Sequence, residues 1–314
     1  MTDPITPTGT SAHDPDPKTT PSTRASTATP PTRTPSASVA PDRAARTESA
    51  ARAERAHERR LRTRDVTLAI ATPLALLALW EVAARLGWID IRVFSSPTAV
   101  AAQASTMASD GSLATHTLAT LGRLTLGGLI GALLGVAVGL LMGTSRALNA
   151  ALGPTFSALY ALPKVAILPI LLFIFGLTET PRILSVVISV FFIMQINTVA
   201  GVHAIDAKLL EAARAYGARG LDRFRFVILP GALPYIFAGF RVAVGTGVIV
   251  ITAVEMLASN TGLGYLIWNS WTLFMPARMY VGLVMVSLLG AGLTALFALL
   301  ERRAIPWRRG RRAS

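Results

Sequence analysis

Six apolar segments dominate this chain, at 66–86, 118–142, 154–176, 183–202, 233–257 and 280–300. Each is near the ~20 residues that a helix needs to cross a ~30 Å hydrocarbon core. Backbone N–H and C=O groups cannot stay unpaired in hydrocarbon, so segments of this length and composition are expected to be membrane-spanning helices. The expected fold is an all-α membrane protein, a polytopic bundle of six transmembrane helices. With 52% hydrophobic and only 15% charged residues in 314, the chain has too little polar surface for a soluble domain. A net charge of +13 raises nucleic acid as a partner. The arginines, however, gather in two tails and one central loop that flank spans, a topology signal that leaves nucleic acid out. The absence of cysteine excludes disulfides, thiolate zinc sites and a cysteine nucleophile. The first apolar run starts only near Val66, so no signal peptide is read.

Residues 1–41 are rich in Pro, Thr, Ser and Ala. They hold too little apolar surface to offset the entropy of ordering and are expected to be disordered. Residues 42–65 turn to Ala, Arg and Glu, which reads as a solvated basic flank or as a helix along an anionic membrane surface. The domains expected are a disordered basic cytoplasmic tail over 1–64, a transmembrane domain over 65–303 and a second basic tail over 304–314. Arg146 lies in the second connection, and Lys208, Arg214, Arg219, Arg223 and Arg225 lie in the fourth. Six further arginines follow the last span, from Arg302 to Arg312, whereas the first, third and fifth connections hold only Arg92, Arg182 and Arg278. This asymmetry puts both termini and the fourth connection in the cytoplasm.

That fourth connection, 206–230, is built for display. Good helix formers run from Asp206 to Tyr216, and Ala207, Ala212, Ala213 and Ala215 keep the surface low enough for a partner's backbone to approach. Gly217 reaches positive φ without a Cβ clash, so it is expected to end one helix and turn the chain into a second short one over 221–227, which Pro230 stops. The expectation is a cytoplasmic two-helix loop facing another protein.

Glu211-Ala212-Ala213, Gly217 and Ile228-Leu229-Pro230 match the E-A-A…G…I-x-L-P pattern of the permease subunits of binding-protein-dependent ABC importers. The chain resembles that family from about residue 117 to 302. Pro163-Lys164-Val165-Ala166-Ile167-Leu168-Pro169, Gln195-Ile196-Asn197-Thr198 and Gly262-Leu263-Gly264-Tyr265-Leu266-Ile267 are similar to its sulfonate, taurine and nitrate branch. The resemblance implies that Glu211, Ala212, Ala213, Gly217, Leu229 and Pro230 couple the chain to a separate ABC ATP-binding subunit. It also implies an extracytoplasmic solute-binding protein and a second permease copy as partners, no cofactor, and a small organosulfonate, taurine or nitrate-like anion as substrate. The chain carries no phosphate loop of its own, because Lys18, Lys164 and Lys208 follow Pro17, Pro163 and Ala207 rather than glycine. His13, His57, His116 and His203 are scattered, without metal-ligand spacing. Neither a catalytic nor a metal site is expected.

The candidate pathway residues are Pro163, Lys164, Pro169, Asn197, Arg241 and Glu255. Two prolines should kink the third span and free carbonyls, either lining a cavity or bending the helix around its neighbours. Lys164 between them falls near mid-membrane, where a charge facing lipid costs at least ~2.5–3.5 kcal/mol. It either offers an anion an exchangeable partner or caps a carbonyl freed by the kink. Gln195, Asn197 and Thr198 are bundle hydrogen-bonding groups or pathway groups. Glycines at 127, 131, 135, 139 and 143 form one stripe, for static packing within the chain or against its twin, or for sliding. Glu81 and Arg85 are expected to pair, and 260–275, with Tyr265, Trp268, Trp271 and Phe274, to form an outer interfacial helix. The competing functions are a secondary transporter of a small solute, an ABC permease for another nutrient such as a vitamin precursor, and a non-transporting scaffold. A secondary transporter would show repeated halves and midplane carboxylates, and none is evident.

Overall fold

The computed structural model describes residues 40–304 of the chain, so the expectations for 1–39 and for 305–314 lie outside the described residues. Every regular element among the described residues is helical. In order they are α1 (Ala40–Arg85), α2 (Ile91–Phe94), α3 (Pro97–Ser109), α4 (Ser112–Thr144) and α5 (Arg146–Ala161), then a 3₁₀ turn (Lys164–Ile167). There follow α6 (Leu168–Phe175), α7 (Glu179–His203), α8 (Ala207–Ala215), α9 (Gly220–Arg223), a π turn (Phe224–Ile228), α10 (Leu229–Ala258), α11 (Leu263–Thr272) and α12 (Pro276–Ala304). Contacts divide the chain into Met1–Ala69 and Ile70–Ser314. In the first unit, residues 40–64 are helical, where the sequence left a solvated basic flank and a helix both open over 42–65. Among the described residues, five helices are long and apolar enough to cross a membrane: Arg64–Arg85, α4, α7, Gly220–Ala258 and α12. The bent pair Arg146–Ala161 and Lys164–Phe175 makes a sixth.

Helix α7 is the centre of the second unit. Its Val186, Val190 and Met194 are buried with Leu124 and Ala132 of α4 and with Ala232, Ile236, Ala243 and Ile251 of α10. The glycine stripe explains how α4 comes so close. A Cβ on Gly127 would lie 2.8 Å from the Ile183 carbonyl oxygen, one on Gly131 2.5 Å from that of Val187, and one on Gly135 2.6 Å from that of Phe191. Gly139 and Gly143 face Thr198 and Val202 in the same way. The stripe is thus a side-chain-free groove filled by α7 of the same chain, and backbone-to-backbone packing replaces the hydrophobic drive that lipid cannot supply.

Three expectations change. The third span begins at Arg146 rather than at residue 154, and the expected kink is a full break of 92° after Ala161. Pro163 caps the 3₁₀ turn and Pro169 sits in the first turn of α6, where its missing N–H has no helical acceptor to serve. Pro230 does not stop the second loop helix. The Leu229 N–H bonds to the Phe224 carbonyl, five residues back, and the π turn carries α9 straight into α10. In continued α register residue 230 would have to donate to Phe226, which proline cannot do, and the extra residue of the π turn shifts the register at that point. Arg182, counted above as a connection residue, lies inside α7 and is buried.

Glu81 and Arg85 do pair, at 2.6 Å. Glu81 also accepts from the Thr98 N–H and hydroxyl at 3.1 and 2.9 Å, tying α1 to the start of α3. Trp80 packs on Tyr280 of α12 with ring centroids 5.2 Å apart. At the other end of α3, Asp110 accepts from the Ser112 N–H at 2.8 Å. Hydrogen bonds from Ser112 hold its carboxyl below the usual carboxylate range.

Candidate functional site

The loop between α7 and α10 has a displayed part and an anchored part. Asp206 caps α8 by accepting from the Lys208 N–H at 2.9 Å. The helix ends in a two-bond cap, with the Gly217 N–H on the Arg214 carbonyl at 3.0 Å and the Ala218 N–H on that of Ala213 at 2.9 Å. This cap requires the left-handed backbone that Gly217 adopts, φ +80°. Gly220 adds a second left-handed turn, at φ +50°, that the sequence reading missed. Glu211, Ala212 and Gly217 are exposed, and Ala213 is half-buried. Tyr216 is 92% exposed, Leu221 76% and Phe226 68%, three large apolar side chains displayed on an otherwise basic loop. Leu229 belongs to the anchored part and packs on the core, while Pro230 is half-buried beside it. A Cβ on the next residue, Gly231, would lie 2.9 Å from the Ile205 side chain, so the entry to the loop is clamped against its exit.

At the opposite end of α7 and α10 lies a buried ion cluster whose central residue the sequence reading passed over. Arg123 of α4 uses all five of its guanidinium donors. Its Nε and Nη2 grip Glu179 at 2.6 and 2.9 Å, Nη1 meets Glu255 and the Thr261 carbonyl at 2.8 Å each, and Nη2 also reaches the Thr261 hydroxyl at 2.7 Å. Arg182 donates to Glu179 at 2.7 Å and to the Ala258 carbonyl at 2.8 Å. Glu255, fully buried, also accepts from the Thr120 hydroxyl and from the Gly264 N–H at 3.0 Å. His116 Nδ1 accepts from the Gly262 N–H at 3.2 Å.

The Gly262-Leu263-Gly264 motif acquires a physical meaning here. Gly262 stands at φ +111°, and a Cβ on it would overlap the Glu255 carboxylate. On Gly264 a Cβ would lie 2.8 Å from the Glu255 side chain. The segment wraps a carboxylate and fixes the start of α11. One signal for the cluster was present in the sequence, an arginine inside an apolar span, which is costly unless paired.

The six pathway candidates lie in separate environments. Pro163, Lys164 and Pro169 flank the break in the third span. Lys164 Nζ donates to the Tyr160 carbonyl, which the break deprives of its helical donor, and sits 4.4 Å over the Tyr160 ring. Asn197 donates to the Ile193 carbonyl at 2.7 Å and packs against Gly239. Arg241 pairs with Glu301 at 2.6 Å beside a groove between α10 and α12. Glu255 is sealed in the ion cluster.

Residues 127–306 match the family described as the binding-protein-dependent transport system inner membrane component. The chain is 36% identical over 235 residues to SsuC of Escherichia coli (strain K12), named for aliphatic sulfonates transport, covering 75% of this chain and 89% of that one. It is 31% identical over 264 residues to TauC of the same organism, a taurine transport system permease, with coverage of 81% and 96%. RibX of Chloroflexus aurantiacus, a riboflavin transport system permease, is 35% identical over 236 residues, with coverage of 75% and 88%. An inward-facing structure of the MetNI methionine ABC transporter superposes with a TM-score of 0.55 at 20% identity, covering 60% of this chain and 94% of that one, and shares the fold. A bundle of span-length helices, a displayed loop between α7 and α10 and this match over more than half the chain lead to one conclusion: the chain belongs to the binding-protein-dependent transport system inner membrane components, the multi-pass permeases of ABC importers.

Proposed function

We propose that this chain, paired with a second permease copy, forms the translocation pathway of an importer for a small organosulfonate, taurine or nitrate-like anion. A separate ATP-binding subunit drives it through the displayed loop. Both termini and that loop face the cytoplasm, and a solute-binding protein docks at the opposite face, near α11. The carrying observation is the exposed apolar surface of Tyr216, Leu221 and Phe226 around the Gly217 cap. A π turn joins it without interruption to α10, the route by which movement of the loop would reach the spans. Gly217→Val tests the coupling. Open space surrounds Gly217, so the substitution acts through backbone strain alone, about 1–3 kcal/mol, and misdirects α9. The variant is expected to reach the membrane in normal amount and to lose substrate-stimulated ATP hydrolysis by the partner subunit. Full stimulation would show that the loop does not couple.

Support for an anionic substrate comes from the names of two relatives and from Lys164, a cation at a broken span. Its capping of the Tyr160 carbonyl is compatible with release to an anion, because conduction needs partners that exchange. In Lys164→Met, uptake of labelled taurine, alkanesulfonate and nitrate is expected to fall severalfold while the complex still assembles. Wild-type uptake of riboflavin and of none of the three anions would assign the chain to a vitamin importer.

A further inference from the structure

The groove between α10 and α12 has a volume of about 810 Å³ and two chemically distinct regions. Arg241 and Arg302 line it toward the C-terminal end of α12, whereas Gly245, Gly290, Ala291, Ala295 and Ala298 make its body. Two hydroxyls reach the body, but both are turned onto their own helix. Ser287 donates to the Leu283 carbonyl at 2.9 Å and Thr294 to that of Gly290 at 2.8 Å. The body therefore presents hydrocarbon, and the cationic groups concentrate at one end. Along the same helices Val242, Ile249, Leu288 and Leu299 are exposed, so the groove opens on a surface of the kind that bilayer chains cover.

We propose that this groove binds one anionic phospholipid, with an acyl chain along the glycine and alanine body and the phosphate at Arg241 and Arg302. Basic pockets between spans recognise anionic head groups. From Val286 to Arg302 the groove follows about 24 Å of helix, more than the ~15 Å depth of one leaflet's hydrocarbon. The small residues of the body lie mainly on α12, facing Gly245 and Val248 of α10, and a helix about 10 Å across would have to seat on Arg241 and Arg302 as well, whereas a lipid phosphate is drawn to them. Arg241 is half exposed even while paired with Glu301, and Arg302 is exposed, so both can reach a phosphate from the groove wall.

The test uses the full chain in nanodiscs of mixed phosphatidylglycerol and phosphatidylcholine, with retained lipid read by native mass spectrometry. Wild type is expected to retain phosphatidylglycerol in preference to phosphatidylcholine, and Arg302→Gln to lower that preference about fivefold. Gly290→Leu should abolish retention of both lipids with an unchanged unfolding temperature. A Cβ there meets only Val248, at 3.9 Å, so the added side chain fills the groove rather than the core. Because the chain has no cysteine, Ala298→Cys supplies a single thiol, expected to form no cross-link between copies in the assembled importer. Equal retention of the two lipids by wild type, retention unchanged in both lipid-site variants, or an efficient cross-link between copies through the Ala298→Cys thiol would overturn the proposal.

Discussion

Glu255→Leu is expected to destabilise the chain by up to about 3–5 kcal/mol, the cost of breaking a buried ion pair, since only the half-exposed Glu179 is then left to balance the Arg123 guanidinium. Arg123 is 6% exposed at the side chain and Glu255 is not exposed at all, so water cannot replace the lost carboxylate. The same substitution takes the acceptor from the Gly264 N–H and one partner from the Thr120 hydroxyl, which still accepts from the Leu263 N–H at the segment entering α11. Unfolding temperature in nanodiscs should fall accordingly, and limited proteolysis should cut first between α10 and α11. Arg123→Met should cost a similar amount. The double variant Arg123→Met with Glu255→Leu is expected to lose clearly less than the sum of the two, because no unpaired charge remains between them. Strict additivity would show that the pair is not the element holding α10 to α4. Glu179 is half exposed and open to solvent, so Glu179→Gln should be the mildest change in the cluster.

Gly131→Val is expected to prevent accumulation of the folded protein. Its Cβ would fall 2.5 Å from the Val187 carbonyl oxygen and 3.1 Å from the Val190 Cβ. The obstacle is backbone of the central helix rather than the end of a flexible side chain. Overpacking of a closed core typically costs about 1–3 kcal/mol and more where no rotamer can yield. Here α4 would have to move off α7 along the whole stripe. The neighbouring Gly128 is the internal control, because a Cβ there meets nothing within 4 Å. Gly128→Val should reach normal membrane abundance, and Gly131→Val should be degraded or aggregate. Equal abundance of the two would mean that α4 and α7 are not in backbone contact in the membrane.

Much of this molecule follows from sequence alone. Span length is set by hydrocarbon thickness, and so the apolar segments were legible one by one. The loop at 206–230 was legible because helix formers, a glycine and basic residues outside an apolar run have few alternatives. The glycine stripe announced a close neighbour, though not which one. What the tertiary structure alone decided are matters of partnership between distant residues. Arg123 and Glu255 lie 132 positions apart, and only the packing of α4 against α10 turns two costly ionisable groups into one satisfied pair. Arg182 reads as a loop charge until α7 is seen to bury it beside Glu179 and the Ala258 carbonyl. Pro230 reads as a stop because local rules treat a missing N–H as the end of a helix, yet a π turn absorbs it and joins the displayed loop to α10. Local sequence dictates which backbone groups and charges need a partner, and the tertiary arrangement of the helices supplies it.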